Sequence, residues 1–413
     1  MNVFKFGGAS VKDAAGIRNV AEIIRTQAKN TLLVVSAMGK TTNLLEDLVR
    51  AYVYQLGDVQ KRLERYVRYS HDVVMNELGG DFSLVQQTFD QLGYDLDQRP
   101  TGTFDEIYDR IVALGEVVST QILAAYLTHI GVPVRWLDAR QVICADTTFR
   151  EGRIDWEKTK QRISEDVACE GVTLTQGFIG QTSDGRTITL GRDGSDYSAS
   201  IFAHCLNAEH VTIWKDVPGV LNADPKWFDE TVLLDKLTYQ DAIELSYYGA
   251  TVIHPKTIKP LQNKEIPLYV RSFIKPDAPG TVIGNFKLNL PIPSFIFKIN
   301  QLLISLHPND FSFIAEDNLS RIFARFAQVG VRINLMQNTA ISFSVVVDTN
   351  PDRIPALLEL LKQDFRVTYN EGVELITIRH YDQQTIDRVL INKNLLLEQK
   401  SRYTVQLVVR EVA

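Results

Sequence analysis

Residues 3–36 read VFKFGGASVKDAAGIRNVAEIIRTQAKNTLLVVS and contain two apolar runs separated by a glycine pair and an amphipathic stretch. The runs Val3–Phe6 and Thr31–Ser36 have the length of buried strands, and Ala14–Lys29 has the period of an amphipathic helix. Two consecutive strands that are connected through a helix pair in parallel. This segment therefore predicts an α/β domain in which helices cover both faces of a mainly parallel sheet.

The same alternation of strand and helix continues to about residue 280. Further strands are predicted at Val134–Leu137, Val172–Phe178 and Val211–Trp214, and a further helix at Asp196–Leu206. Residues 44–114 differ because they are long, rich in polar residues and helical in period. We interpret them as a helical insertion in the α/β domain.

A change of rhythm marks a second region. Lys275–Gly280 and Leu290–Ser294 each contain two prolines, so neither can continue a central strand, and together they predict a linker. Beyond it the order strand, helix, strand, strand, helix, strand predicts a ferredoxin-like α+β module followed by an incomplete second one. The expected domains are 1–285, with catalytic motifs, and 295–413, with a regulatory fold.

Composition excludes several classes of function. The 413 residues are 45% hydrophobic and 23% charged with a net charge of −6, which argues against a nucleic-acid partner. No apolar run approaches the ~20 residues that cross a bilayer, so no membrane segment is expected. Met1 leads directly into a predicted strand, which indicates no signal peptide. Cys144, Cys169 and Cys205 share no close spacing, as in a reduced cytoplasmic protein whose cysteines are buried.

Lys5–Ser10 is the first motif that could carry chemistry. Two glycines at a strand end let successive N–H groups approach an anion, and Lys5 adds a mobile positive charge suited to a phosphoryl group. The motif matches neither a Walker loop nor a dinucleotide fingerprint. A tight strand-to-helix turn explains these residues equally well.

Two further motifs contain charged residues at unusual places. Gly191–Asp196 precedes a helix, where Ser195 and Asp196 could be simple caps, yet Arg192 has the planar fork that binds carboxylates. Glu116 lies within the apolar helix Ile111–Leu127, so its charge needs either a ligand or a buried structural salt bridge.

Two more strand-end loops complete the pattern, at Ser36–Asn43 and Trp214–Lys226. Loops at the ends of parallel strands commonly bind ligands, so four such loops together with the Glu116 helix favour a site for phosphate and a small anion. No group of cysteines and histidines has metal-ligand spacing, so no protein metal site is predicted. His254, directly before a proline, is interpreted as a structural turn residue.

These motifs, in this order, resemble those of the aspartate kinases of the amino-acid kinase family. The resemblance covers about residues 1–285 and includes Gln176–Gly180, Asp216–Gly219 and His254-Pro255. It implies transfer of the γ-phosphoryl group of MgATP to the side-chain carboxylate of L-aspartate, with Mg²⁺ arriving on the nucleotide. The tail resembles paired ACT domains, which implies an amino-acid effector, lysine or threonine, and a homodimer or larger oligomer.

The resemblance also implies residue roles. Lys5 would stabilise the transferring phosphoryl group and Asp196 would orient the substrate, which makes these two the expected catalytic residues. The residues implied to bind aspartate are Ser36, Thr42, Glu116, Arg192 and Ser195. Those implied to surround the nucleotide are Lys5, Gly7, Gly8, Lys215, Asp216, Leu221, Lys226 and Thr251.

Some positions depart from the family pattern. Ala9 replaces a threonine, while Lys215 and Thr251 stand where many members have threonine and lysine, respectively. Two alternatives stay open: a kinase of the same fold that acts on another carboxylate, and a non-catalytic amino-acid sensor. The complete Lys5, Arg192 and Asp196 set favours an active aspartate kinase.

Overall fold

The computed structural model describes residues 1–167, 170–228, 230–250, 253–287, 291–310 and 312–412. The described chain forms two compact units. The first unit comprises 1–220, 233–243 and 253–287, and the second comprises 221–232, 244–250 and 291–412, within the described ranges. Thr251 and Cys169, both named in the sequence analysis, lie outside the described residues.

The first unit is built from alternating strands and helices. Its elements are β1 (Asn2–Phe6), α1 (Ala14–Gln27), β2 (Thr31–Val35), α2 (Thr41–Val53), α3 (Gly57–Leu78), α4 (Ser83–Asp97), α5 (Phe104–His129), β3 (Arg135–Leu137), α6 (Ala139–Val142), β4 (Cys144–Ala145), α7 (Trp156–Asp166), β5 (Val172–Gln176), β6 (Ile179–Thr182), β7 (Thr187–Thr189), α8 (Gly194–Leu206), β8 (Val211–Lys215), β9 (Lys236–Thr238), α9 (Tyr239–Tyr248), α10 (Pro255–Gln262), β10 (Leu268–Ser272) and β11 (Thr281–Gly284). Of these, α9 begins in the first unit and ends in the second.

In the described part of the first unit, eight strands form one sheet in the order β3-β5-β2-β1-β8-β10-β11-β9. Neighbouring strands pair in parallel, except that β10 and β11 are antiparallel. The central strands are buried along most of their length because helices cover the sheet. This confirms the predicted α/β fold with its mainly parallel sheet. A smaller sheet has the order β4-β6-β7.

The helical stretch that follows β2 consists of α2, α3, α4 and α5. By length and composition α5 could cross a membrane, with a mean hydropathy of 1.5 in its most apolar window, so the expectation of no such apolar run was wrong. However, 72% of that window is buried within the protein, as in the core helix of a globular fold. Cys144 and Cys205 are buried free thiols, as predicted.

One predicted linker segment is a loop inside the first unit. Lys275–Gly280 connects β10 to β11, which pair as antiparallel neighbours. Proline and glycine are as typical of a loop that reverses the chain as they are of a linker between domains. Composition alone therefore did not distinguish a linker from a loop.

The second unit is an antiparallel sheet with helices. Its further elements are β12 (Ser294–Pro308), α11 (Glu316–Val329), β13 (Ile333–Asn338), β14 (Phe343–Asp348), α12 (Ile354–Lys362), β15 (Phe365–Arg379), α13 (Gln383–Val389), β16 (Lys393–Lys400) and β17 (Thr404–Glu411). Its described strands have the order β13-β14-β12-β15-β17-β16. This antiparallel α+β arrangement fits the predicted ACT-like fold.

Two long strands connect the two halves of this sheet. β12 pairs with β15 along nearly its whole length, with register shifts between Lys298 and Leu303. One half of β12 packs with α11 and α12, and the other half packs with α13. Ala223 and Phe228 share the core around α13, although they lie far upstream in sequence. The second α+β module, which the sequence predicts to be incomplete, therefore contains one half of β12 as a strand. Its core also contains the apolar side chains of Ala223 and Phe228.

Candidate active site

The functional loops of the first unit meet at the carboxyl edge of its parallel sheet. Phe6 pairs with both Val35 and Trp214, and Val35 pairs with Gln176, so β1, β2, β5 and β8 end side by side. A cavity of about 820 Å³ opens here, lined by residues from these loops and from α5. Strand-end loops of open α/β sheets are the usual location of ligands.

Lys5, Asp196 and Lys215 form an ion network in this cavity. Lys5 Nζ lies 2.6 Å from Asp196 Oδ1, and Lys215 Nζ lies 3.7 Å from Asp196 Oδ2. Burial would raise the pKa of Asp196, but the two ammonium groups outweigh it and hold that pKa below its usual value. Asp196 is therefore an ionised carboxylate between two cations.

Glu116 is a second buried carboxyl group in the same cavity, and it is incompletely bonded. Loss of hydration raises its pKa to about 8, although Lys5 and the backbone N–H of Ala37 both lower it. Among the described residues, Glu116 Oε2 has no hydrogen-bond partner. The charge of Lys5 and the backbone N–H of Ala37 therefore stabilise the carboxyl group of Glu116 only in part. A buried oxygen without a partner is costly, which indicates a place for a ligand donor.

The first turn of α8 brings Ser195 and Asp196 to the cavity. Asp193 precedes the helix in the left-handed region, with φ of 52°, and its side chain makes no capping hydrogen bond. Ser195 and Asp196 are the second and third residues of the helix and are buried. The alternative that these two residues are simple caps therefore does not hold, because they lie inside the first turn. Helix N-termini favour bound anions.

Two glycines allow the loops to approach this closely. A Cβ atom on Gly8 would lie 2.6 Å from the carbonyl oxygen of Ala37, and one on Gly177 would lie 2.5 Å from Ser195 Cβ. Both distances are shorter than real contacts, so a larger residue at either position would separate the loops.

The remaining predicted aspartate-binding residues also line the cavity. Ser36 and Thr42 are half-buried. The carbonyl of Ser36 accepts a hydrogen bond from Ser119 Oγ on α5 at 2.7 Å, which ties the loop to the helix. Arg192 is different because its side chain is 87% exposed, and its Nε lies 3.8 Å from Asp193 Oδ2. It is an exposed cation among the residues that line the cavity.

The predicted nucleotide residues are more scattered. Gly8 and Lys215 line the cavity, while Gly7 precedes the short 3₁₀ helix Gly8–Val11. Asp216 is exposed at the end of β8. Leu221 and Lys226 belong to the second unit. Their nucleotide roles stay predictions, as does that of Thr251.

His254 is a structural residue, as predicted. It precedes α10, and its Nδ1 accepts a hydrogen bond from the backbone N–H of Lys256 at 3.1 Å. The Lys256 Nζ donates to the carbonyl of Leu190 at 2.9 Å and therefore supports the turn before Arg192.

Sequence reasoning missed one wall of the cavity, which is formed by Asp105 and Tyr108 of α5 and by Thr148–Glu151. The sequence did contain one signal for this wall. Asp105, Asp109 and Glu116 are spaced by four and then seven residues, which places three acidic side chains on one face of an apolar helix. Asp109 is fully buried and accepts hydrogen bonds from Thr189 N (3.0 Å) and Thr189 Oγ1 (2.6 Å). The Thr148–Glu151 loop itself contains no recognisable motif.

Together these side chains suit a small zwitterion beside a phosphate group. The cavity offers ammonium and guanidinium groups for anions, together with a buried carboxyl group that needs a cation. Phosphoryl transfer requires alignment and charge neutralisation rather than a protein nucleophile.

Comparison with known proteins agrees with this arrangement. The family model of the amino acid kinase family matches residues 1–272. The match spans well over half of the chain, which therefore belongs to the amino acid kinase family.

Similar proteins within the family include aspartokinases. The lysine-sensitive aspartokinase 3 of Escherichia coli is 29% identical, over 91% of this chain and 86% of its own length. A bifunctional aspartokinase/homoserine dehydrogenase 2 of Arabidopsis thaliana is 31% identical over 90% of this chain, which spans only 42% of that longer relative. The crystal structure of E. coli aspartokinase III in complex with lysine and aspartate has a TM-score of 0.86 at 26% identity, covering 100% of this chain and 96% of that one.

Proposed function

We propose that the chain is an aspartate kinase that transfers the γ-phosphoryl group of ATP to the β-carboxylate of L-aspartate, giving 4-phospho-L-aspartate. The observation that carries this proposal is the buried Lys5–Asp196 pair beside the incompletely bonded Glu116. The similarity to aspartokinases over nearly the whole chain supports the same acceptor, because one solved relative binds aspartate.

In this proposal the substrate completes the bonding of the cavity. The α-ammonium group of aspartate pairs with Glu116, and the α-carboxylate binds Arg192 with help from Ser195. Ser36 and Thr42 offer hydroxyl groups at the same place. Binding of a cation beside Glu116 favours its ionised form, so the carboxyl proton leaves as aspartate enters.

Lys5 and Asp196 act on the transfer step. The β-carboxylate oxygen forms a bond to the γ-phosphorus while the bond from that phosphorus to the leaving oxygen breaks, and ADP departs. Negative charge spreads over the transferring oxygens, and the Lys5 ammonium group stabilises it. Asp196 holds Lys5 in place through their 2.6 Å contact.

Magnesium belongs to the nucleotide substrate in this scheme. The described residues contain no cluster of three or more His, Cys, Asp or Glu side chains placed to hold a metal ion. Both oxygens of Asp196 already lie near ammonium groups. The side chains of the cavity are therefore compatible with a Mg²⁺ ion that enters bound to the phosphate oxygens of ATP, which is a common way for proteins to bind Mg²⁺. Mg²⁺ there neutralises phosphate charge. The residues proposed to surround the nucleotide, besides Lys5, remain Gly7, Gly8, Lys215, Asp216, Leu221, Lys226 and Thr251.

Residues 295–413 are proposed to be a regulatory region that binds an amino-acid effector, and 1–285 the catalytic domain. Lysine is the first effector to test, because the solved E. coli relative contains lysine, and threonine is the second. We further propose a homodimer or larger oligomer in the cytoplasm.

The direct test measures ADP release from MgATP by the purified protein, with and without L-aspartate, and traps the acyl phosphate with hydroxylamine. Hydroxamate that depends on aspartate is the expected result, and its suppression by lysine or threonine would identify the effector. Nucleotide binding without such turnover would contradict the proposal and favour a sensor, whereas turnover with another acid would favour a different acceptor.

A further inference from the structure

Arg150 has a backbone conformation that favours glycine. Its φ is +68°, in the left-handed region, where a side chain on the Cα atom is strained. Residues with such strain persist only when their surroundings hold them, and they concentrate at functional sites. Arg150 also lines the cavity that contains Lys5 and Arg192.

Buried hydrogen bonds hold the loop in this conformation. The backbone N–H of Arg150 donates to Asp109 Oδ2 at 2.9 Å. Asp109 also binds the backbone and the hydroxyl group of Thr189, which precedes the turn with Arg192. A Cβ atom on Gly191 would lie only 3.2 Å from the carbonyl oxygen of Arg150, so the two loops are in close contact. The fold thus fixes Arg150 beside the turn that presents Arg192.

The guanidinium group is oriented by two neighbours on α5. Arg150 Cζ lies 4.4 Å from the centroid of the Tyr108 ring, and Nη1 lies 3.4 Å from Asp105 Oδ1. The Tyr108 hydroxyl donates to Glu46 Oε1 at 2.5 Å, which fixes the ring. Arg150 is therefore held as a planar cation at the cavity, although half of its side chain is exposed.

Carboxylates surround this part of the cavity. Glu46, Asp105 and Glu151 all line it, and their negative charge opposes the entry of a substrate that carries two carboxylates. We propose that Arg150 is a second guanidinium that binds the acidic substrate, in addition to Arg192. This inference rests on the proposed function, since it assigns a residue to the recognition of aspartate.

The test uses Arg150→Gly because glycine adopts the observed φ without strain. The relief of strain roughly offsets the lost contacts of the side chain and the greater freedom of glycine in the unfolded chain. We therefore expect a melting temperature within about 2 °C of the wild type. The KM for aspartate should rise about tenfold, as for loss of a partly solvated ion pair with a bound anion, while kcat and the KM for ATP stay within about twofold.

Two further variants complete the test. Gln55→Gly makes the same backbone exchange at an exposed residue with φ of 54° outside the cavity, and it should leave the KM for aspartate unchanged. Arg150→Lys keeps the charge and should recover part of the affinity. A lower melting temperature of Arg150→Gly with an unchanged KM would overturn the proposal in favour of a structural role.

Calorimetric binding of L-aspartate without ATP separates this inference from the proposed function. Weaker binding to Arg150→Gly than to the wild type supports the role of Arg150, even if the wild type shows no turnover. Equal binding to both proteins overturns that role while leaving the kinase activity intact. No binding to the wild type contradicts both.

Discussion

Each of the two units contains a lysine within a cluster of polar side chains, and the two clusters are bonded very differently. In the second unit, Lys298 Nζ donates to Asn334 Oδ1 at 2.8 Å, and Asn334 Nδ2 donates to Gln301 Oε1 (2.8 Å) and Asp348 Oδ1 (2.9 Å). Gln301 Nε2 also donates to Asp348 Oδ1 at 3.0 Å. Each of these four side chains is hydrogen-bonded to another member of the cluster.

The cavity cluster of the first unit is incomplete by comparison. Lys5 and Asp196 are paired, but Glu116 Oε2 lacks a partner among the described residues and its pKa is raised to about 8. Side chains that are bonded to one another help to specify a fold, whereas a buried oxygen without a partner carries a cost that a bound donor would remove. This difference is the reason to propose that the cavity cluster binds a ligand and that the cluster around Lys298 is structural.

The largest expected effect is the loss of turnover in Lys5→Ala. The kcat should fall by about a thousandfold or more because the transferring phosphoryl group loses its cation. ATP affinity, measured by calorimetry, should largely survive. Lys298→Ala is the matched control: it should lower the melting temperature and keep kcat within about twofold. If kcat of Lys5→Ala stayed within a few-fold of the wild type, the assigned role would be wrong.

Glu116→Gln should have the next largest effect. Removing the charge that pairs with the substrate ammonium group should lower kcat/KM for aspartate about a hundredfold, as for loss of a buried charged hydrogen bond. The KM for ATP should change little. An equal loss for ATP and aspartate would indicate a general disturbance of the cavity instead.

The pH dependence of the same group gives a third prediction. The pKa of Glu116 is raised, so the empty protein keeps its proton up to about pH 8. Because the ammonium group needs the ionised form, kcat/KM for aspartate should rise with pH until about 8 and then level off. In Glu116→Gln, kcat/KM for aspartate should not show this rise with pH. A wild-type profile that is flat between pH 6 and 9 would contradict the raised pKa.

Arg192→Ala should have a smaller effect because the side chain is mostly exposed. The dissociation constant of aspartate should rise by up to about fivefold, with kcat nearly unchanged. Near-normal affinity in a calorimetric titration would exclude the carboxylate role of Arg192.

Asn334→Ala should have the smallest effect on activity and sharpens the comparison most. It leaves the buried amide of Gln301 and the half-buried ammonium group of Lys298 short of a partner, so the free energy of unfolding should fall by about 1 kcal/mol. Without an effector, kcat and the KM for aspartate should equal those of the wild type. Loss of activity without loss of stability would show that this network is not merely structural.

Much of this could be predicted from sequence. Lys5, Glu116 and Asp196 stand out because charged residues beside buried strands or within an apolar helix need a reason to be there. Arg150 does not stand out, since its importance depends on a backbone angle and on Asp109, which is 41 residues away. Long-range packing of this kind leaves no local pattern.

The division of the chain was harder to predict for the same reason. Proline and glycine in Lys275–Gly280 indicated a linker, yet the segment is a loop between paired strands. Conversely, Phe228 lies within residues 1–285, which were predicted to be the catalytic domain. Its side chain nevertheless packs in the core around α13 of the second unit. The composition of a segment indicates its local conformation but does not indicate which other segment it packs against.

Glu116 Oε2, which has no hydrogen-bond partner among the described residues, is the atom proposed to bind the substrate ammonium group. Calorimetric titration of L-aspartate at pH 7, in buffers of different ionisation enthalpy, measures the protons released on binding. We expect close to one proton released per site by the wild type and none by Glu116→Gln. The same proton release by both proteins, or none by the wild type, would contradict it.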